Sequence, residues 1–377
     1  MAQTLVQPAF ATIGDNPTRL WGMSAAERVR RIAVAANLPP RTDPAQPAVL
    51  ANVAFAFDPA WLRHLVGVPG AVLTMGGVPV LAHVRSREEA ERVEESMARG
   101  TSLSGLAEMH EIAFDDGPTI ENKALRKRET PFVTRLLPEN LRVIERASYF
   151  GAYKGVTDLL TKYLWPEWAL VLTRICAKVG ITPNQVTIIG AVLCVLATWC
   201  FAEGRYWLGM ASGLAFMVLD TVDGKLARCT ITSSRIGNIL DHGMDLVHPP
   251  FWWWFWATGL AHWGLALDEG TFWWVQGALL AGYIVQRLIE GAFIQLFGIH
   301  IHVWERFDSR FRLVTARRNP NMVILAAATL AGRPDIGIVA VAWWTALCCA
   351  VHAVRLLEAL IRKARGMPVR SWLADPA

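Results

Sequence analysis

Apolar positions change their rhythm along the chain. Up to about residue 150 they come in short runs parted by turn residues; beyond residue 180 the runs are long and nearly unbroken. In the first part, residues 5–13 and 50–57 read as strands, and 71–84 as a hairpin broken at Gly76-Gly77. Ser24-Ala-Ala-Glu27 has capping-box spacing and predicts a helix to about Asn37. Residues 86–98 predict a second helix, charged and exposed. Strands alternating with helices predict a soluble N-terminal α/β domain over residues 1–120.

Residues 121–182 read as a basic linker and a juxtamembrane helix. Lys123, Arg126, Lys127, Arg128 and Arg135 come first, then an aromatic and cationic stretch from Tyr153 to Trp165. A helix over 166–180 with Arg174 and Lys178 follows; cations beside aromatics suit an amphipathic helix lying in the membrane interface. Six apolar stretches come next, near 185–203, 206–228, 237–262, 271–297, 319–333 and 335–361. Most have the length to cross about 30 Å of hydrocarbon, and the fifth is short. The expected fold is therefore an α-helical integral membrane protein. Six transmembrane helices over 183–362 follow the interfacial helix, and 363–377 form a cytosolic tail.

The loops orient the spans. Arg228, Arg235, Arg306, Arg310, Arg312, Arg317, Arg318, Arg362, Lys363, Arg365 and Arg370 fall on one side. The other side is nearly free of cations and holds Asp268 and Glu269. The positive-inside rule puts both termini in the cytosol, with the end of the second span and the start of the third. Met1-Ala-Gln-Thr opens no signal peptide, which agrees.

Composition adds exclusions. Lys and Arg number 37 against 32 Asp and Glu, an excess of five over 377 residues, too thin for nucleic-acid binding and suited to an anionic membrane surface. The six Cys show no CxxC or Cys/His spacing, so they read as packing residues.

The chemistry is expected at residues 220–245. Asp220 and Asp223 are i,i+3, Asp241 and Asp245 are i,i+4, and each pair shares a helix face in otherwise apolar sequence. Charged groups within or beside a span are costly and read as functional. If the two helices are antiparallel neighbours the acids converge, and hard divalent cations, Mg²⁺ first, are their natural partners. The alternatives are a polar network between spans or a non-catalytic cation-binding transporter or receptor. Against the transporter, the chain shows one aspartate set and no internal repeat.

The pattern Asp220-x2-Asp-Gly-x2-Ala-Arg-x8-Gly-x3-Asp-x3-Asp245 resembles the signature of the CDP-alcohol phosphotransferase family, with all eight fixed positions present. Pro183-Asn184-Gln-Val-Thr187 is similar to a motif its members carry before the first span. The resemblance implies metal-dependent transfer of a substituted phosphoryl group from a CDP-linked donor to an alcohol, with release of CMP. It implies that Asp220, Asp223, Asp241 and Asp245 hold two ions, Mg²⁺ or Mn²⁺, and that Asp245 is also the general base. It places Asn184, Thr187, Gly224, Ala227, Arg228, Ser234 and Gly237 around the nucleotide. Lys154, Arg317 and Arg318 are candidates for an acceptor phosphate, such as that of an inositol phosphate, or are ordinary positive-inside charge. Members are usually homodimers in the lipid bilayer.

The opening strand–loop–helix faintly resembles a sugar-phosphate nucleotidyltransferase, as in the di-myo-inositol-phosphate-phosphate synthase branch of the family. Asp15, Asn16 and Pro17 interrupt the glycine-rich loop such a domain needs, so a degenerate or structural domain is expected.

Overall fold

The computed structural model describes residues 8–103, 109–233 and 235–374; in the helix Arg235–Gly259 the side chains of 235, 236, 238–242 and 245 lie outside that description. Two compact units form. The first comprises Met1–Tyr153, Arg174–Gly180 and Lys225–Thr232; the second comprises Lys154–Thr173, Ile181–Gly224 and Ser233–Ala377.

In the first unit the chain runs β1 (Ala9–Ile13), β2 (Arg19–Leu20), β3 (Met23–Ser24), α1 (Ala25–Ala35), β4 (Ala48–Asn52), β5 (Phe55–Phe57), α2 (Pro59–Val66), β6 (Ala71–Met75), β7 (Val78–Val84), α3 (Arg87–Arg99) and β8 (His110–Ala113). It continues through β9 (Ile120–Asn122), β10 (Lys127–Glu129), β11 (Val133–Arg135) and α4 (Leu141–Gly151). The main sheet has five strands in the order β1-β4-β7-β6-β8, parallel at β1/β4 and β6/β8 and antiparallel between. Gly76 and Gly77 close the β6–β7 hairpin with φ of 58° and 76°, values that favour glycine.

Helices cover both faces of this sheet. Val29, Ile32 and Ala33 of α1 and Trp61, Leu62 and Leu65 of α2 are buried with Val49, Leu73 and Leu81. On the other face Ala90, Val93 and Met97 of α3 are buried with Leu50, Val72 and Val84. Ser24, Asp58 and Ser86 cap the three helices through their side-chain oxygens.

Residues 50–57 are two strands rather than one. Asn52, 2% exposed, accepts from the Ala54 N–H at 3.0 Å, and its amide donates to the Pro79 carbonyl at 3.0 Å. That turn sends β5 out of the sheet to pair with β11.

In the second unit α5 (Pro166–Val179) begins, and α6 (Pro183–Ala202), α7 (Tyr206–Cys229), α8 (Arg235–Gly259), α9 (Glu269–Phe297), α10 (Arg306–Phe311), α11 (Arg318–Leu330) and α12 (Pro334–Ala364) follow; the ends of α5 and α7 belong to the first unit. α6, α9 and α12 are long and apolar enough to cross a membrane. Among the described residues the other three expected spans are not of that kind. α7 carries Asp220, Asp223, Lys225 and Arg228, α8 carries Asp241 and Asp245, and α11 is 13 residues, about 20 Å at 1.5 Å per residue.

The tryptophan run in α8 packs largely inside the helical unit. Trp252 and Trp256 are fully buried. Their indole N–H groups donate to the Cys194 and Pro334 carbonyls, and Trp256 stacks on Tyr206 at 4.2 Å. Only Trp254 of this stretch is substantially exposed among its indoles. Cys176, Cys194, Cys200, Cys229 and Cys348 are buried free thiols, in keeping with packing roles.

Candidate active site

α7 carries Asp220, Asp223, Gly224, Ala227 and Arg228. Asp223 is 4% exposed, and both its oxygens accept short hydrogen bonds. Thr187 Oγ1 donates to Oδ2 at 2.6 Å, and the Gly224 N–H donates to Oδ1 at 2.5 Å. Thr187 reaches this position because α6 begins sharply. Pro183 occupies its first turn, and Thr182 and Gln185 form a reciprocal capping box. The Pro183-to-Thr187 motif thus places a hydroxyl against Asp223, and Asn184 in the same turn is exposed.

Asp220, one turn before Asp223, faces a cation. Arg318 donates to its Oδ2 at 2.7 Å, with both side chains mostly out of solvent, 11% and 18% exposed. The Arg318 guanidinium also lies 4.8 Å from the Phe216 ring centre. Trp165 Nε1 donates to Thr221 Oγ1 at 3.0 Å, fixing one of the two residues between the acids.

Sequence reasoning missed the network behind Arg318. Arg318 Nε donates to Asn319 Oδ1 at 3.2 Å, and the Asn319 amide donates to Asp158 Oδ1 at 3.0 Å and Thr161 Oγ1 at 3.1 Å. Burial pushes the Asp158 carboxyl up, but Arg312, the Thr161 N–H and Asn319 together hold it below the usual carboxylate range. The signal was Asp158 three residues before Thr161, the spacing of an aspartate that caps the following turn.

Arg317 pairs with Glu290 instead, which also accepts from His302 at 3.2 Å and meets Arg287 at 3.5 Å. Burial drives the His302 imidazole down to about 3, so it is neutral and donates Nε2–H to Glu290.

Lys154 is exposed in the second unit. Gly237 is part-buried on α8, which also carries Asp241 and Asp245, but the side chains of these two acids and all of Ser234 lie outside the described residues. Among the described residues no three His, Cys, Asp or Glu gather around a metal position. His248 packs edge-on against Phe216 and Trp252 at 5.1 and 5.0 Å, with Nδ1 2.5 Å from the Met244 carbonyl, as a packing residue does. Lys225 is 3% exposed and donates to the Ala152 carbonyl at 3.0 Å in the first unit. What α7 offers a ligand is carboxylate oxygen with a threonine hydroxyl beside it. That all-oxygen donor set fits a hard divalent ion such as Mg²⁺ or Mn²⁺.

α7 carries one acidic pair toward its end, and the sequence places a second pair in the first turns of α8. Residues 180–305 match the family described as CDP-alcohol phosphatidyltransferase, and the chain carries a domain of that family. Its members and the relatives below are transferases of substituted phosphate groups. The chain is 28% identical over 229 residues to the bifunctional IPC transferase and DIPP synthase of Rubrobacter xylanophilus, covering 60% of this chain and 48% of that protein. It is 29% identical over 187 residues to the archaetidylinositol phosphate synthase of Pyrococcus horikoshii, covering 48% of this chain and 88% of that one. The chain thus spans about half the length of the Rubrobacter protein. Mycobacterium tuberculosis phosphatidylinositol phosphate synthase, crystallised with manganese and citrate, aligns with a TM-score of 0.40 at 18% identity, over 50% of this chain and 88% of that one.

Proposed function

We propose that this chain is an integral-membrane CDP-alcohol phosphotransferase. It moves a substituted phosphoryl group from a CDP-diacylglycerol or CDP-inositol type of donor to an alcohol and releases CMP. The observation that carries this is the complete Asp220-to-Asp245 pattern inside residues 180–305, with Asp223 held by Thr187 from the neighbouring motif.

Asp220, Asp223, Asp241 and Asp245 are the residues to hold two divalent ions, Mg²⁺ or Mn²⁺. Such ions offset the pyrophosphate charge and stabilise the leaving CMP. Thr187 fixes one oxygen of Asp223, so that carboxylate enters the reaction already oriented. Asp245 takes the proton of the acceptor hydroxyl. Arg228 binds a donor phosphate through its planar fork. Gly224, Ala227 and Gly237 leave room for the nucleotide, and Asn184 and Ser234 hydrogen-bond it. Lys154, Arg317 and Arg318 are the cations available to an acceptor phosphate, and the names of the relatives favour an inositol phosphate.

On this reading residues 183–362 cross the membrane six times in a homodimer, with the termini and site facing the cytosol. Residues 1–120 form a cytosolic α/β domain. Asn16, in the loop where a nucleotidyltransferase would cradle phosphate, spends its amide on the Val53 and Leu136 carbonyls, which supports a structural role for that domain.

The test is CMP release by purified protein given Mg²⁺, a panel of CDP-alcohols and candidate acceptors. Wild type releases CMP and Asp245→Asn does not. No CMP from any pair, with metal flux across vesicles instead, points to the transporter and overturns this reading.

A further inference from the structure

Arg318 is an unusual neighbour for a metal ligand. It is the first residue of α11, and its fork ends on the carboxylate of Asp220, 98 positions earlier. Among the described residues Arg318 meets Asp220 at 2.7 Å, Asn319 Oδ1 at 3.2 Å and the face of Phe216 at 4.8 Å. Asn319 is itself 7% exposed and tied to Asp158 and Thr161, so the tether ends in a buried acid. Neither partner of the Arg318–Asp220 pair is well solvated, which makes its charge balance matter more than that of a surface pair.

We propose that Arg318 is a tethered counter-cation of the metal site. It neutralises Asp220 until a divalent ion does, and its charge opposes that ion. This rests on the reading of Asp220 as a metal ligand. The guanidinium charge repels a cation brought to the same carboxylate, so Arg318 sets the ion affinity below what the acids alone would give. The guanidinium stays anchored through Asn319. There it presents its fork to phosphate oxygen, the anion for which that geometry is suited. Ion binding therefore precedes and prepares anion binding, and the side chain acts as a positioning residue.

The test is equilibrium Mn²⁺ binding to the full-length purified protein without nucleotide, read from the electron paramagnetic resonance signal of free ion. Arg318→Met removes the competing charge at similar length and tightens Mn²⁺ binding by about tenfold, the order of one charge-assisted hydrogen bond. Arg318→Lys keeps the charge and stays near wild type. Asn319→Ala loosens the tether, leaves the charge and gives a smaller tightening in the same direction. A purely structural Arg318 predicts no such ordering. Unchanged or weaker binding in Arg318→Met, in protein whose wild type binds Mn²⁺ and releases CMP, overturns this proposal alone. A wild type that neither binds Mn²⁺ nor releases CMP overturns the proposed function together with it.

Discussion

Thr187→Val isolates one contact of the site. Valine keeps the branched shape of threonine and loses only the hydroxyl that donates to Asp223 Oδ2 at 2.6 Å. That hydroxyl has one proton and a second, longer acceptor in the Pro183 carbonyl at 3.1 Å, so Asp223 is the partner that matters. Asp223 is 4% exposed, and water cannot readily replace the lost donor. A hydrogen bond to a charged group is worth about 1.5–3 kcal/mol. At about 1.4 kcal/mol per factor of ten, kcat/KM for CMP release should fall by about ten- to a hundredfold. Initial rates at subsaturating donor measure this, with Mn²⁺ affinity as a parallel readout. Thr187→Ser restores the hydroxyl and most of the rate. A valine variant indistinguishable from wild type, or valine and serine variants equally impaired, would refute the reasoning, since the methyl and not the hydroxyl would then be what counts.

Other outcomes follow from the same geometry. Asn16→Ala removes the side chain that bridges Val53 and Leu136 and accepts from the Thr18 N–H at 2.9 Å. It should cost about 1–3 kcal/mol in the unfolding of the first unit, checked by denaturant titration, and leave CMP-releasing chemistry in the folded fraction intact. Asp245→Asn should abolish CMP release while nucleotide still binds, checked by equilibrium dialysis with labelled CDP. His302 is neutral because burial lowers its pKa from 6.5 to about 3, so the unfolded chain takes up the proton first as pH falls. Its stabilising contribution is complete above pH 6.5 and is lost as pH drops toward about 3; thermal unfolding of detergent-solubilised protein should show that slope, and His302→Gln should flatten it.

What was legible in the sequence was local. Gly76-Gly77 marked a turn that only a tight hairpin needs, and Ser24 and Ser86 announced helix starts three residues before the N–H groups they cap. The acidic pattern on α7 could be read because helical spacing alone puts Asp220 and Asp223 on one face. What stayed hidden depends on pairing across long stretches of chain. The break between β4 and β5 follows from Asn52 bonding Pro79, and the strand that β5 pairs with lies far downstream at β11. Arg317 and Arg318 are adjacent in sequence with the same charge, yet one meets Glu290 and the other Asp220. Nothing in spacing tells them apart, because the choice is made by where α11 begins. Composition does not place the tryptophan run either. Indole suits both a lipid interface and a helix-packing core, and the carbonyls that Trp252 and Trp256 satisfy lie on other helices.

The account turns on acids from α7 and α8 sharing one pair of ions. Electron paramagnetic resonance of the Mn²⁺-loaded protein with CDP present tests this most directly. A spin-coupled pair of Mn²⁺ ions in the wild type, lost in both Asp223→Asn and Asp241→Asn, is the predicted result. Isolated ions in the wild type, or coupling that survives either substitution, would contradict it.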